Sequence, residues 1–495
     1  MRGGVTPKQA REPGARSHVA RPQKSDRSES LVGSGTLYAL ATVAPILSTL
    51  LITPAITRML GATQYGLVGI SITLYQMFAI ALSLGLPAAI TRHAIIATSS
   101  LEGAVALVRF GAIASVLGGI LLIATVPLWG SLFIGEINPW VLGFPMISAS
   151  GLAILTLCQS LFRAVGRVST FVSMGVLSAV SGPVLGLLSV LANGPHAASY
   201  LGGLAAGHFG TGLVALILTL LIRRPRISRV DIMTNLRIGL PTVPHSIASA
   251  FLVSVLVVMA SVFGSVEDAG RLQLALLLGT APLILLGAFN NSWAPMIYRA
   301  SDEARAPLLS QTTKAISVIV FALVGGFCTF AQPVIAFIAG PELYIPEMLS
   351  AAVLTTIAAP FMALYLSNVH LVFLSGRTGM LALTTPLSLV VAMGYLFVTA
   401  AGLSWHSLAT FALGIPVFHL SQWFMSMWLR RRSGYDAPRV ASSMPALSLS
   451  VLTALLVALL HPSFLPTLAI FVSLCLLLAY ISRSALRASS HISPS

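Results

Sequence analysis

Arg109 is the basic residue that lies clearly inside a long apolar stretch of this 495-residue sequence. Its planar guanidinium matches the oxygens of a phosphate group, which makes it the first candidate for binding an anion. The alternative is that its long side chain reaches the water at a membrane edge and binds nothing. Arg58, Arg92 and Arg163, at the ends of apolar stretches, are further candidates with the same two interpretations.

A second set of candidates carries amide, imidazole or indole groups within or near apolar stretches. Such groups can hydrogen-bond to sugar hydroxyls or stack on sugar rings, although they more often join neighbouring membrane helices. His245 follows two prolines that interrupt a helix, and broken helices often line a transporter's cavity. His93, His208, His370 and His419 carry a weaker claim. The candidates for contact with a sugar chain are His245, Asn290, Asn291, Trp293, Asn368, Gln76 and Gln422.

The sequence contains no motif that predicts a catalytic site, a metal site or a cofactor. It lacks a nucleophile elbow, a phosphate-binding Gly-Lys-Ser/Thr loop and any cluster with metal-ligand spacing. Its three cysteines, Cys158, Cys328 and Cys475, each lie in an apolar stretch, where packing explains them. We therefore predict a protein that is not an enzyme.

The elements that must position these residues are membrane-spanning helices. Hydrophobic residues make up 56% of the sequence and charged residues 8%, against roughly 25% charged in soluble domains. A membrane crossing needs about 20 apolar residues, and the apolar stretches predict an all-α protein with about fourteen spans. They are residues 38–59, 65–90, 104–128, 139–162, 168–191, 200–222, 238–263, 272–297, 316–339, 348–374, 378–402, 408–429, 442–460 and 464–481.

The distribution of basic residues predicts the orientation of these spans. With fourteen spans, all of the 28 Lys and Arg residues except Arg58 and Arg271 fall on one side of the membrane. Basic residues concentrate on the cytoplasmic side of membrane proteins. We therefore predict a multi-pass protein of the cell (inner) membrane with both termini in the cytoplasm. The same placement explains the net charge of +15 without a nucleic-acid partner.

Three short motifs resemble one family of membrane proteins. Residues 58–66, Arg-Met-Leu-Gly-Ala-Thr-Gln-Tyr-Gly, resemble the turn after the first helix of polysaccharide-biosynthesis flippases, the Wzx-type members of the multidrug/oligosaccharidyl-lipid/polysaccharide exporter superfamily. Residues 239–245, Gly-Leu-Pro-Thr-Val-Pro-His, are similar to the opening of helix seven in that family. The segment that contains Trp293, Pro295 and Tyr298 is similar to the end of its helix eight.

The resemblance implies two six-helix lobes around a central cavity, with two further helices at the C-terminus. On this basis we divide the chain into a basic disordered tail (1–34), an N-lobe (35–222), a basic linker (223–237), a C-lobe (238–429), a basic loop (430–441), helices thirteen and fourteen (442–482) and a C-terminal tail (483–495). A faint internal repeat, in which Gly61 and Gly66 correspond to Gly264 and Gly270, fits this division.

The resemblance also implies a function, which is to move a polyprenyl-pyrophosphate-linked oligosaccharide to the outer leaflet by alternating access for cell-surface polysaccharide biosynthesis. Its expected partners are that substrate, membrane lipids, and a polysaccharide polymerase and glycosyltransferases. The acidic residues argue against a cation-coupled drug exporter, since all thirteen fall in the tail or near loops rather than at mid-membrane depth. The short outer loops argue against a membrane-embedded polymerase or ligase. A scaffold that has lost transport stays open.

Overall fold

The computed structural model describes residues 31–96, 100–133, 139–226, 229–240, 243–374, 381–436, 438 and 440–490. The Glu136 and Arg377 positions lie outside these ranges. Within these ranges, the structure does not describe the side chains of residues 31–47, 49, 96, 100, 229–231, 238, 245, 291, 292, 295, 299, 381, 382 and 482–490.

The described residues form helices joined by short turns. Thirteen helical segments among them are long and apolar enough to cross a membrane, close to the fourteen predicted. The α-helices are α1 (Leu31–Leu82), α2 (Leu86–Ile96), α3 (Ser100–Trp129), α4 (Trp140–Ala164), α5 (Val168–Asn193), α6 (Ala197–Leu220), α7 (Arg229–Gly239), α8 (Val243–Phe263), α9 (Val266–Gly279), α10 (Ala281–Arg299), α11 (Asp302–Leu343), α12 (Pro346–Thr355), α13 (Ala358–Leu374), α14 (Leu381–Leu396), α15 (Leu408–Ala412), α16 (Gly414–Arg432), α17 (Met444–Leu460) and α18 (Phe464–Ser490).

Helix α1 contains the first predicted span and most of the second. The two parts meet at Gly61, whose φ of 69° and ψ of 178° are not helical. A side chain disfavours this left-handed region, so glycine permits a sharp bend without a long loop. The first membrane-length segment, Leu50–Leu82, includes this bend, which explains why thirteen segments stand for fourteen predicted spans.

Gly340 in α11 repeats the backbone geometry of Gly61, with φ 70° and ψ 174°. The faint sequence repeat instead predicted Gly264 as the counterpart of Gly61. Gly264 is not among the glycines with positive φ. The glycine that shares the positive φ of Gly61 is therefore Gly340, at the end of the ninth predicted span, and not Gly264, at the end of the seventh.

Two groups of helices form separate lobes. In the N-lobe, α4 packs against α3, α6 and α1, and α5 packs against α6 and α1. In the C-lobe, α13 packs against α10, α11 and α16, while α8 packs against α9 and α14. Helix α17 adds to α11 and α12, and α18 lies outside α11 and α17. The fold is therefore the expected all-α membrane architecture of two lobes with two appended helices.

The bundle has two ends, which we name by their arginines. The Arg58 end carries Gly61 and the beginnings of α6 and α9, since Gln64 accepts a hydrogen bond from the Ala197 N–H at 2.8 Å and Thr63 donates to Glu267. The Arg92 end carries the beginning of α3 and the end of α6, where the Arg226 N–H donates to the Glu102 carbonyl oxygen at 3.2 Å.

Candidate functional site

The lobes meet through α1, which contacts α8, α9 and α11. Glycines of α1 and α9 lie in close contact. A Cβ atom on Gly66 would lie 2.0 Å from the carbonyl oxygen of Val266, and one on Gly270 would lie 2.8 Å from the Gly66 Cα. Gly69 faces Gln273 one turn further along, at 3.1 Å between the built Cβ and the Gln273 Cβ. We call Gly66, Gly69 and Gly270 the glycine gate.

Hydrogen bonds hold the same end of the lobes together around the C-terminal part of α11. Thr57 donates to the Ile338 carbonyl oxygen at 2.6 Å, and the Arg58 guanidinium donates to the Phe337 carbonyl oxygen at 2.7 Å. Within the C-lobe, Arg271 of α9 donates to the Leu343 carbonyl oxygen of α11 at 3.1 Å. Cations are favourable at a helix C-terminus.

Arg58 and Arg271, the two exceptions to the basic-residue bias, therefore both bond the end of α11. The Thr63 hydroxyl of α1 also donates to the Glu267 carboxylate of α9. The bonds of Thr57, Arg58 and Thr63, together with the glycine gate, close the lobes against each other at the Arg58 end.

The helix faces that contact each other at this end become exposed toward the Arg92 end. On α1, Thr73 is buried and its carbonyl oxygen accepts a hydrogen bond from Ser254 of α8 at 3.0 Å. Gln76 lies seven residues, or two turns, beyond Gly69 on the same face, and its side chain is exposed. The lobes therefore part between Thr73 and Gln76.

The other two helices at the lobe contact show the same change. On α8, Ser254 is buried and Phe251, one turn closer to the Arg92 end, is exposed. On α9 and α10, buried Gln273 is followed by exposed Ile284, and a Cβ atom on Gly287 would meet no atom within 4 Å. We call the space lined by Gln76, Phe251 and Gly287 the inter-lobe cleft. The lobes contact each other at its Arg58 end, and its walls become exposed toward the Arg92 end.

Carboxylates lie at the helix ends rather than deep in this cleft. Glu267, Asp268, Asp302 and Glu303 are in first turns of helices, as are Glu102 and Glu347. Glu342 ends α11, and Asp436 follows α16. These are all the acidic residues whose side chains the structure describes.

Three predicted site residues lie inside the C-lobe rather than in the cleft. Trp293 is buried and its indole N–H donates to the Thr312 hydroxyl at 2.9 Å. Its ring contacts the His370 ring edge to face, with centroids 4.8 Å apart. Asn290 precedes Trp293 by one turn on the same face, and its Oδ1 is buried without a hydrogen-bond partner. Asn368 is buried one turn from Tyr365 in α13.

Arg430 is a buried basic residue of the C-lobe that the sequence did not single out. Its side chain is only 3% exposed. The Nε donates to the Asn368 Oδ1 at 2.8 Å, and a terminal nitrogen donates to the Tyr435 carbonyl oxygen at 2.7 Å. A buried guanidinium held by neutral acceptors depends on each of them. In the sequence, Arg430 looks identical to its neighbours Arg431 and Arg432 at a helix end.

We expect Asn368→Leu to destabilise the C-lobe by about 2 kcal/mol, because it leaves a buried charged donor without its acceptor. The measurement is the thermal unfolding of the purified protein in detergent. Arg430→Met in the Asn368→Leu background should recover at least half of the loss, since it removes the stranded charge. Arg431→Met, at the exposed neighbour, should recover nothing. Equal effects of the two methionine substitutions would contradict the pairing.

Arg109 lies in neither the cleft nor the C-lobe. It lines a groove in the N-lobe formed by α3, α4 and α6, in which every other lining residue is apolar. Arg92 on α2 and Arg163 on α4 have exposed side chains at the Arg92 end, where the cleft opens. The side chains of His245 and Asn291 lie outside the described residues.

The weaker histidine candidates are packed within the lobes. His208 is buried in the N-lobe, with its ring centroid 5.4 Å from that of Tyr75. His419 packs against Phe418 in α16 at 5.3 Å, and Gln422 donates to the Thr385 hydroxyl at 3.4 Å. His93 lies close to Gly103 of α3.

Two helical lobes that contact each other at one end, with facing helices that become exposed toward the other, are typical of a membrane transporter fold. Comparison with known proteins agrees. The family model described as polysaccharide biosynthesis protein matches residues 31–301, more than half of the chain, and the chain therefore belongs to that family. A search of the curated proteins gives no match.

Several solved structures share the fold. An inward-facing multidrug resistance MATE family transporter of the MOP superfamily is 16% identical and matches with a TM-score of 0.66 over 80% of this chain and 98% of its own. The lipid II flippase MurJ, in an inward closed conformation, is 11% identical with a TM-score of 0.66 over 92% and 99%. A MOP superfamily transporter from Pyrococcus furiosus is 17% identical with a TM-score of 0.55 over 81% and 96%.

Proposed function

We propose that this chain is a flippase that moves a polyprenyl-pyrophosphate-linked oligosaccharide across the cell membrane for the synthesis of a surface polysaccharide. The glycan and pyrophosphate would enter the inter-lobe cleft while the polyprenyl chain stays in the lipid. The observation that carries the proposal is the inter-lobe cleft in a member of the polysaccharide-biosynthesis family. An amide and an aromatic ring lie on the walls of this cleft, and the acidic side chains that the structure describes lie at helix ends.

The proposed orientation places the Arg92 end in the cytoplasm. Both arginines at the other end, Arg58 and Arg271, are bonded to carbonyl oxygens of α11, so their position has a structural reason. The remaining basic residues would then lie inside, as the positive-inside rule requires. The cleft would be open to the side on which the lipid-linked oligosaccharide is made, and Arg92 and Arg163 would lie at its entrance.

The nearest rival is a cation-coupled exporter of small molecules, and the structurally similar proteins include transporters named for multidrug resistance. Such coupling usually needs an ionisable carboxylate at membrane depth. The placement of the described carboxylates at helix ends favours the flippase. We propose that substrate supply or the membrane potential drives net movement.

The test is the lipid-linked sugar content of a deletion strain. We expect polyprenyl-pyrophosphate oligosaccharide to accumulate on the cytoplasmic side and the wild-type gene to reverse this. Gln76→Leu should restore flux several-fold less well, because it replaces a cleft amide by an apolar group that cannot bond a sugar hydroxyl.

The matched control is Thr156→Leu, an exposed polar residue of α4 whose hydroxyl bonds only the Leu152 carbonyl oxygen of its own helix. It should complement like the wild type at equal protein levels. Raised drug sensitivity without accumulation of lipid-linked sugar would support the exporter instead. An unchanged strain would support a scaffold without transport.

A further inference from the structure

The groove that contains Arg109 lies on the outer surface of the N-lobe, away from the C-lobe. It has a volume of about 360 Å³, within the range of ligand pockets. Its walls include Ile113 and Leu117 of α3 and Leu213 of α6, which are 51%, 61% and 47% exposed. These side chains lie within membrane-spanning segments, so the groove opens toward lipid hydrocarbon rather than toward water or the cleft.

Arg109 gives one end of this apolar groove a positive charge. Its side chain is exposed, and no hydrogen bond or ion pair to it occurs among the described residues. It lies nine residues from the start of α3, about 14 Å along the helix axis. At that depth the guanidinium is within reach of lipid phosphates, because an Arg side chain extends toward the interface.

The mouth of the groove carries further basic residues. Leu216 and Leu220 line the groove near the end of α6, and Arg223, Arg224 and Arg226 follow directly. The Arg226 N–H bonds the Glu102 carbonyl oxygen of α3, which ties this basic segment to the first turn of the helix that carries Arg109. Glu102, seven residues from Arg109 on α3, is the acidic residue of that helix. The charge at this end is therefore mainly positive.

We propose that this groove binds an anionic phospholipid of the surrounding bilayer, with an acyl chain along α3 and α6 and the phosphate against Arg109. The groove offers one cationic group and otherwise carbon, which matches a phosphate on a hydrocarbon chain. A glycan would need many hydrogen-bonding groups, and the groove has none besides the guanidinium. Arg109 therefore binds a lipid headgroup outside the transport path.

The test uses a tryptophan reporter in the groove and brominated lipids as quenchers. Leu213→Trp places the reporter on the groove wall, and its signal is the difference from the parent protein in the same bilayer. Brominated phosphatidylglycerol should reach half-quenching at a mole fraction roughly threefold lower than brominated phosphatidylcholine. Arg109→Gln should abolish that preference, while Arg92→Gln, at an exposed arginine outside the groove, should leave it unchanged.

A second reporter shows whether the preference is local. Val390→Trp lies on an exposed face of α14 in the C-lobe and should be quenched equally by the two lipids. Equal quenching at Leu213→Trp, or a preference that survives Arg109→Gln, would overturn the proposal. So would displacement of the quencher by unbrominated polyprenyl phosphate at a lower mole fraction than by unbrominated phosphatidylglycerol, since the groove would then belong to the carrier lipid.

Discussion

Gly66→Ala is expected to keep the glycine gate from closing and to reduce flux to below a tenth of the wild-type value. The new Cβ atom would lie 2.0 Å from the Val266 carbonyl oxygen, and neither helix backbone can move locally without separating the lobes. A shift of several kcal/mol is enough to make a major conformation minor. The protein would then favour the state with the Arg58 end open.

The measurement is the yield of a bifunctional thiol cross-link between Thr63→Cys and Glu267→Cys, which reports closure at the gate. Gly66→Ala should lower this yield at least tenfold. Gly270→Ala should act similarly, and Gly69→Ala less, because the atoms near its built Cβ include a side chain that can shift.

Gly210→Ala is the matched control, since its Cβ atom would meet nothing within 4 Å. It should leave both the cross-link and the flux unchanged. A normal cross-link yield in Gly66→Ala at normal expression would contradict the role of the gate.

The helical fold could be predicted because membrane burial acts on long stretches of sequence. A span is recognised from about 20 apolar residues, so an error in one residue changes little. The motif at residues 58–66 also predicted a turn after the first span, and the structure has a bend there at Gly61. The sequence repeat pairs Gly66 with Gly270. Their contact becomes apparent only in the structure, where the two lobes lie side by side.

Side-chain roles were harder to predict because they depend on which face of a helix a residue occupies. Asn290 and Asn291 are neighbours in sequence, yet 100° separates adjacent residues on a helix. Asn290 shares the buried face of Leu286 and Trp293. No composition or spacing rule ranks one above the other.

The roles of the arginines were equally hard to predict from the sequence. Arg430 is buried and bonded to Asn368, while Arg431 beside it is exposed. Both follow an apolar stretch, where topology explains a basic residue equally well. Arg109 stood out correctly as an arginine within a span, but only the packing of α3 against α4 and α6 shows that it faces an apolar groove.

Locking the gate shut should stop transport reversibly. Thr63 and Glu267 lie on different lobes, and their side chains are hydrogen-bonded. A short thiol cross-linker with a reducible disulfide in its spacer, placed between Thr63→Cys and Glu267→Cys, would therefore hold the Arg58 end closed. Alternating access requires that end to open. We expect flux to fall below a tenth once the link forms and to recover on reduction, in a background with the three native cysteines replaced.

The control pair is Gln64→Cys with His196→Cys. Both residues lie at the same end but within the N-lobe, and they are close together because Gln64 accepts a hydrogen bond from the N–H of Ala197, the residue after His196. Its cross-link should leave flux unchanged, since the lobe moves as one body. The inter-lobe pair before cross-linking should retain at least half of the wild-type flux, which separates the lock from loss of the hydrogen bond. Full flux with the inter-lobe link complete would mean that the substrate crosses without opening this gate.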